Sequence, residues 1–310
     1  MSLDRAQLAG FEPVVAELTG DENNPLAASV YGSADTNDHP AILMMHGGGQ
    51  TRHSWDGAAR QLSARGNVAV TVDGRGHGDS GWVESQNYRF RDYASDLKTI
   101  APQVAKRFSA GGRPPVVVGA SLGGLSAMLV HDQHRGPDPV ELFSAIVLVD
   151  ITPRMQASGV DRILGFMSKD MRVGFSDINE AADAIAAYLP NRARPASLDG
   201  LAKNLRKRPD GRWYWHWDPA FVDGPNNIMS DNPNRLETLL GAAQRITVPT
   251  LLVRGGKSEL VTEEAAAEFL QHVPHAKFVD VSDAGHMVAG DRNDTFAKAV
   301  IDFLTEQGLA

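Results

Sequence analysis

The sequence contains no cysteine, which excludes disulfides, thiolate metal sites and a cysteine nucleophile together. It has no stretch near the ~20 consecutive apolar residues that a membrane-spanning helix requires. Basic residues are outnumbered by acidic ones, 30 to 38, for a formal net charge of −8. That balance counts against nucleic acid as the main partner. The opening stretch, MSLDRAQLAGFEP, holds Asp4 and lacks the apolar run of about 7–15 residues that marks a secretory signal. A soluble, cytoplasmic protein is therefore expected, with no membrane and no nucleic acid among its partners.

What is present is an ordinary globular composition, 42% hydrophobic over 310 residues, enough for one large core or two modest ones. Short β-branched runs at 41–45, 68–72, 116–118, 145–149 and 249–253 read as buried strands, with a late strand at 277–281. Apolar runs without alternation suit a parallel sheet covered on both faces. Helical spacing at 55–65, 93–108, 122–133, 262–273 and 293–305 separates them, so the pattern predicts an α/β fold.

The alternation stops over 151–246. That stretch predicts helices at 178–189, 198–207 and 235–243 and no strand like the others, so it reads as a helical cap inserted after the sixth strand. Residues 1–150 and 247–310 would form the body. An insertion at the C-terminal end of a strand lies over the crevice where open α/β sheets bind ligands. The basic run Lys203, Arg206, Lys207 and Arg208 reads as a solvated helix face.

The strongest chemical signal is Gly119-Ala120-Ser121-Leu122-Gly123-Gly124, placed between a predicted strand and a predicted helix. This is the G-x-S-x-G nucleophile elbow in the context it needs. Gly119 and Gly123 supply room for a sharp turn, and the Leu122 N–H at the helix start can face an oxyanion. A serine hydroxyl needs a base, and His286 in Asp283-Ala284-Gly285-His286-Met287 follows the last strand. The acid that orients it belongs, in the order Ser…acid…His, after the 249–253 strand, where Glu259 is the first carboxylate. Asp150, at the end of the 145–149 strand, is the alternative acid. His46-Gly47-Gly48-Gly49 after the first parallel strand offers the Gly48 N–H as the second oxyanion donor. His46 and His77 read as structural residues. Within the insertion, Trp213, Trp215 and Trp217 would share a face if extended, and with His216 they could wall a substrate pocket.

Taken together, these motifs resemble the α/β-hydrolase superfamily over nearly the whole chain. His46-Gly47 with Gln50-Thr51 and Trp55 is similar to the H-G-x-P…W loop of capped epoxide hydrolases and haloalkane dehalogenases. Asp73-Gly74-Arg75-Gly76-His77-Gly78-Asp79-Ser80 is similar to their D-x-R-G-x-G-x-S segment. Those enzymes use an aspartate nucleophile where this chain has Ser121, and a serine adduct on an epoxide carbon would be an ether that water does not cleave. Gly49 stands where their loop often has proline, and Glu259 where they usually have aspartate. The resemblance therefore implies a serine hydrolase acting on a small-molecule carboxylic ester or lactone, with no metal and no cofactor. A carbon–carbon bond hydrolase with the same triad, or a non-catalytic ligand-binding protein of this fold, is the alternative.

Overall fold

The structure is a computed structural model that describes residues 12–36, 38–133, 141–190, 197–230, 234–286, 288 and 293–310. The first eleven residues and Met287, both read above, lie outside the described residues. Eight strands form one sheet in the order β1-β2-β4-β3-β5-β6-β9-β10. These are β1 (Val14–Thr19), β2 (Pro25–Tyr31), β3 (Ile42–Met45), β4 (Ala69–Val72), β5 (Val116–Ala120), β6 (Ala145–Val149), β9 (Thr250–Gly255) and β10 (Lys277–Val281). β2 runs antiparallel to both β1 and β4; every other pairing is parallel.

The central strands read as continuous apolar runs because both faces of the sheet are covered. Leu43, Met45 and Val117 pack into one buried cluster with helices Phe90–Phe108 and Leu122–Gln133. Ile42, Met44, Val116 and Val118 pack into another with helices Asp56–Ser63 and Asn293–Glu306. β1 and β2 were not foreseen: β1 is an edge strand on which Val14 and Val15 are both exposed, and the small residues of β2 give no apolar run.

The segment between β6 and β9 is the insertion expected from sequence. It carries helices Ala157–Ser168, Ile178–Tyr188 and Asp199–Ala202, a hairpin of β7 (Leu205–Lys207) with β8 (Trp213–Trp215), and helices Ala220–Asp223 and Arg235–Gln244. The helix predicted over 198–207 is thus a single turn followed by a strand. Its cause lies in Arg208-Pro209-Asp210-Gly211, a turn in which Gly211 takes φ +84°, folding Leu205–Lys207 back onto Trp213–Trp215. Nor do the basic residues form a solvated helix face. Lys203 pairs with Asp56 at 3.2 Å, Arg206 with Asp79 at 2.5 Å, and Arg208 lies 3.9 Å over the Tyr214 ring. Helix Arg235–Gln244 packs on Leu122–Gln133 of the body. Among the described residues, no helix is long and apolar enough to cross a membrane.

Candidate active site

Ser121 sits at the tip of β5 with φ +46°, a left-handed conformation that costs a non-glycine residue on the order of 1–3 kcal/mol. Its neighbours leave no room for side chains. A Cβ on Gly119 would stand 2.5 Å from the Gly123 carbonyl carbon, and one on Gly123 would stand 2.4 Å from the Met45 carbonyl oxygen. The helix from Leu122 begins immediately, closed by the Leu125 N–H donating to the Ser121 carbonyl at 2.9 Å.

The neighbouring strand end brings the acid. Ala120 pairs with Val149, and the Ser121 N–H donates to the Val149 carbonyl at 3.2 Å, so Asp150 follows directly beside the elbow. The Asp150 side chain is wholly buried, and its Oδ2 lies 2.7 Å from His286 Nδ1. Two further donors hold the carboxylate: the Gly255 N–H reaches Oδ1 at 2.9 Å, and the Ser258 hydroxyl reaches Oδ2 at 2.5 Å. An ionised carboxylate in that position fixes the imidazole tautomer, leaving Nε2 to exchange a proton.

Glu259 is not brought to His286. Its carboxylate pairs with Arg162 of the cap, and its side chain is 62% exposed. The first acid after β9 in the sequence is therefore a surface ion-pair partner, and the place beside His286 belongs to Asp150. Glu259 fails because Ser258, one residue earlier, is the side chain that turns inward at this strand end.

The glycine loop faces the elbow, since a Cβ on Gly47 would stand 3.2 Å from the Ser121 Cβ. Among the described residues, the N–H groups of Gly48 and Leu122 make no hydrogen bond, so both remain available to an oxyanion. Two cap side chains cover the loop. Phe221 Cζ would lie 3.1 Å from a Cβ on Gly48, and Met167 Cε 3.0 Å from one on Gly49.

Sequence reading missed both covering residues, for an apolar side chain in a cap gives no local signal of the loop it packs upon. His46 is structural, as expected: its Nδ1 donates to the Gly47 carbonyl at 2.7 Å and its Nε2 accepts from the Gly74 N–H at 2.9 Å. Trp215 and Trp217 do share a face, stacked at 4.9 Å and 10°, and both are buried. Trp213 is half-buried, with the Lys207 ammonium 5.8 Å from its ring. His216 is buried on backbone groups, accepting from the Gly78 N–H at 2.7 Å and meeting the Gly49 carbonyl at 3.3 Å.

With an elbow serine, a late histidine and a buried aspartate arranged on one sheet edge, the comparison with known families is direct: the alpha/beta hydrolase family matches residues 42–299. The chain belongs to that family. As an α/β-hydrolase it is similar to the esterase Rv0045c of Mycobacterium tuberculosis, 29% identical over 295 residues that cover 93% of this chain and 89% of that protein. A crystal structure of that esterase matches with a TM-score of 0.71 at 27% identity, covering 98% of this chain and 99% of the other. The sn-1-specific diacylglycerol lipase ABHD11 of Mus musculus is 28% identical, covering 86% of this chain and 81% of that protein.

Proposed function

We propose that this α/β-hydrolase is a serine hydrolase that cleaves a small-molecule carboxylic ester or lactone through an acyl-enzyme on Ser121. The observation that carries the reading is the 2.7 Å contact of His286 Nδ1 with buried Asp150, one strand away from a serine held at φ +46°. The similarity to an esterase and to a lipase supports the same bond type.

In this mechanism His286 Nε2 takes the Ser121 hydroxyl proton as Oγ attacks the substrate carbonyl. The oxyanion is received by the N–H groups of Gly48 and Leu122. His286 then gives its proton to the leaving alcohol, and collapse releases it. Water, deprotonated by the same imidazole, attacks the acyl-enzyme and frees the acid and Ser121. Asp150 stays ionised throughout and stabilises the imidazolium. A carbon–carbon hydrolase reading would call for a proton donor from the cap. His216, the cap imidazole at the glycine loop, has both ring nitrogens committed to backbone groups, which favours the ester reading.

The test is release of p-nitrophenol from short-chain p-nitrophenyl esters, together with covalent labelling by an alkyl fluorophosphonate. Wild type is expected to turn over and to be labelled, and Ser121→Ala to lose both while unfolding at the wild-type temperature. Full activity in Ser121→Ala would overturn the nucleophile; an inert, unlabelled wild type would overturn the serine-hydrolase reading.

A further inference from the structure

The glycine loop is held by three imidazoles from three parts of the chain. Each accepts one backbone N–H, so each tautomer is dictated by geometry. His46 accepts from Gly74 at Nε2 and so carries its proton on Nδ1, which donates to the Gly47 carbonyl. His77 accepts from the Gly49 N–H at Nε2, 3.1 Å, and donates from Nδ1 to the Arg75 carbonyl at 2.9 Å. His216 has the opposite tautomer: Nδ1 accepts from the Gly78 N–H, so Nε2 carries the proton and donates to the Gly49 carbonyl.

These contacts fall on consecutive peptide groups. No peptide in the described chain is cis, and in a trans peptide the C=O and N–H point in opposite directions. Drawing the Gly47 carbonyl towards His46 therefore turns the Gly48 N–H the other way, away from the His46 ring. His77 fixes the next peptide through the Gly49 N–H, and His216 fixes the one after through the Gly49 carbonyl. The Gln50 N–H, on the same peptide whose carbonyl His216 holds, donates to the Gly47 carbonyl at 3.1 Å. It closes a turn in which Gly49 takes φ +74°, so His216 acts on the Gly47–Gly48 peptide through that bond. Two of the three clamps belong to the body. The third, His216, belongs to the cap, is buried, and stands in a ring cluster with His77 at 5.7 Å between centroids.

We propose that His216 is a positioning residue for the oxyanion hole: by clamping the Gly49 carbonyl from the cap, it makes the aim of the Gly48 N–H depend on the cap being seated. This rests on the serine-hydrolase reading above. It couples substrate enclosure to catalytic competence, since a cap lifted from the body takes with it one of the three peptide clamps.

The two ends of the imidazole can be tested separately. His216→Asn keeps an acceptor near the Nδ1 position for the Gly78 N–H but is too short to reach Gly49. His216→Gln places an amide N–H where Nε2 was and keeps the Gly49 contact. Loss of a whole oxyanion donor typically costs about 10²–10³ in rate, and a misaimed one less. For p-nitrophenyl ester hydrolysis, His216→Asn is expected to lower kcat on the order of tenfold or more with KM changed less than about twofold, and His216→Gln to retain most of kcat.

Wild-type kcat in His216→Asn, equal losses in both variants, or a larger loss in His216→Gln would each overturn the proposal. An inert wild type would instead count against the serine-hydrolase reading. Thermal unfolding reports whether each variant is folded. If neither folds, 15N-histidine spectra of the wild type decide: opposite tautomers for His216 and His77 support the clamp, and a His216 protonated on Nδ1 overturns it.

Discussion

Ser258 Oγ stands 2.5 Å from the same Asp150 oxygen, Oδ2, that faces His286 Nδ1 at 2.7 Å. The acid is thus shared between two strand ends: β6 supplies the carboxylate, and the turn after β9 supplies the hydroxyl and the Gly255 N–H that hold it. A buried carboxylate with three donors is aimed as well as charged, and its value to His286 depends on both properties.

The first prediction separates the two carboxylates. Asp150→Asn is expected to lower kcat by about 10³–10⁴ on a p-nitrophenyl ester, because the amide leaves the imidazole with the wrong tautomer and an unsupported cation. Glu259→Gln is expected to change kcat by less than about twofold, since an exposed ion pair with Arg162 contributes little. Steady-state kinetics of both variants check this, and a larger loss in Glu259→Gln would remove Asp150 from the triad.

Much of this was legible in the residues, and what was not has identifiable causes. Ser121 and His286 announce themselves by position, one between a strand and a helix, the other after the last strand. The acid did not, because a carboxylate at the end of either β6 or β9 reaches the same edge; only the register Ile146↔Thr250 to Val149↔Val253 shows the two ends as neighbours. The role of His216 was hidden for a different reason. A histidine among tryptophans in an insertion looks like a pocket wall, and its actual partners, Gly49 and Gly78, are 167 and 138 residues away. The β7–β8 hairpin was written in the Pro209-Asp210-Gly211 turn, where apolar spacing alone favoured a helix.

A second prediction concerns Ser258→Ala. The hydroxyl donates to Asp150 and accepts from the N–H groups of Leu260 and Val261, both at 3.1 Å. Its removal leaves those groups short of a partner at the site, costing about 1–3 kcal/mol of stability. The carboxylate then loses one of its three anchors, and kcat is expected to fall on the order of three- to tenfold while KM is nearly unchanged. Urea denaturation and initial rates on the same preparation measure the two effects; a variant with wild-type kcat would show that Gly255 alone suffices to aim Asp150.

A third prediction tests the elbow's steric basis. A Cβ at Gly123 meets backbone, the Met45 carbonyl at 2.4 Å, which no side-chain rotation relieves. Gly123→Ala is therefore expected to destabilise the protein by about 3 kcal/mol or more and to abolish activity by displacing Ser121. Gly165→Ala, where nothing lies within 4 Å of the added carbon, serves as the contrast and is expected to be neutral or slightly stabilising. Equal melting temperatures for the two variants would contradict the close approach of β3 and the elbow.

The fourth prediction follows from the three imidazoles. Burial is the largest cause that lowers each of their pKa values below 6.5, with His77 pushed down to about 3 and also opposed by His46. In the unfolded chain the same groups take up protons near pH 6.5, so below that value the unfolded state binds more protons and stability falls with acidification. At pH 5 holding His77 neutral costs about 2 kcal/mol, and His46 and His216, both lowered by burial, add to that loss in the same direction. For His77 the loss continues to its folded value near 3, and below about pH 4 the Asp56 carboxylate, held near 2 despite partial burial by hydrogen bonds from His53 and Tyr31, adds a second loss. The urea midpoint is therefore expected to fall steeply between pH 6.5 and 5, and His216→Asn to flatten that slope by about one proton. A midpoint that stays level across this range would mean that these imidazoles are not kept neutral, and the tautomers that aim the Gly48 N–H would fall with it.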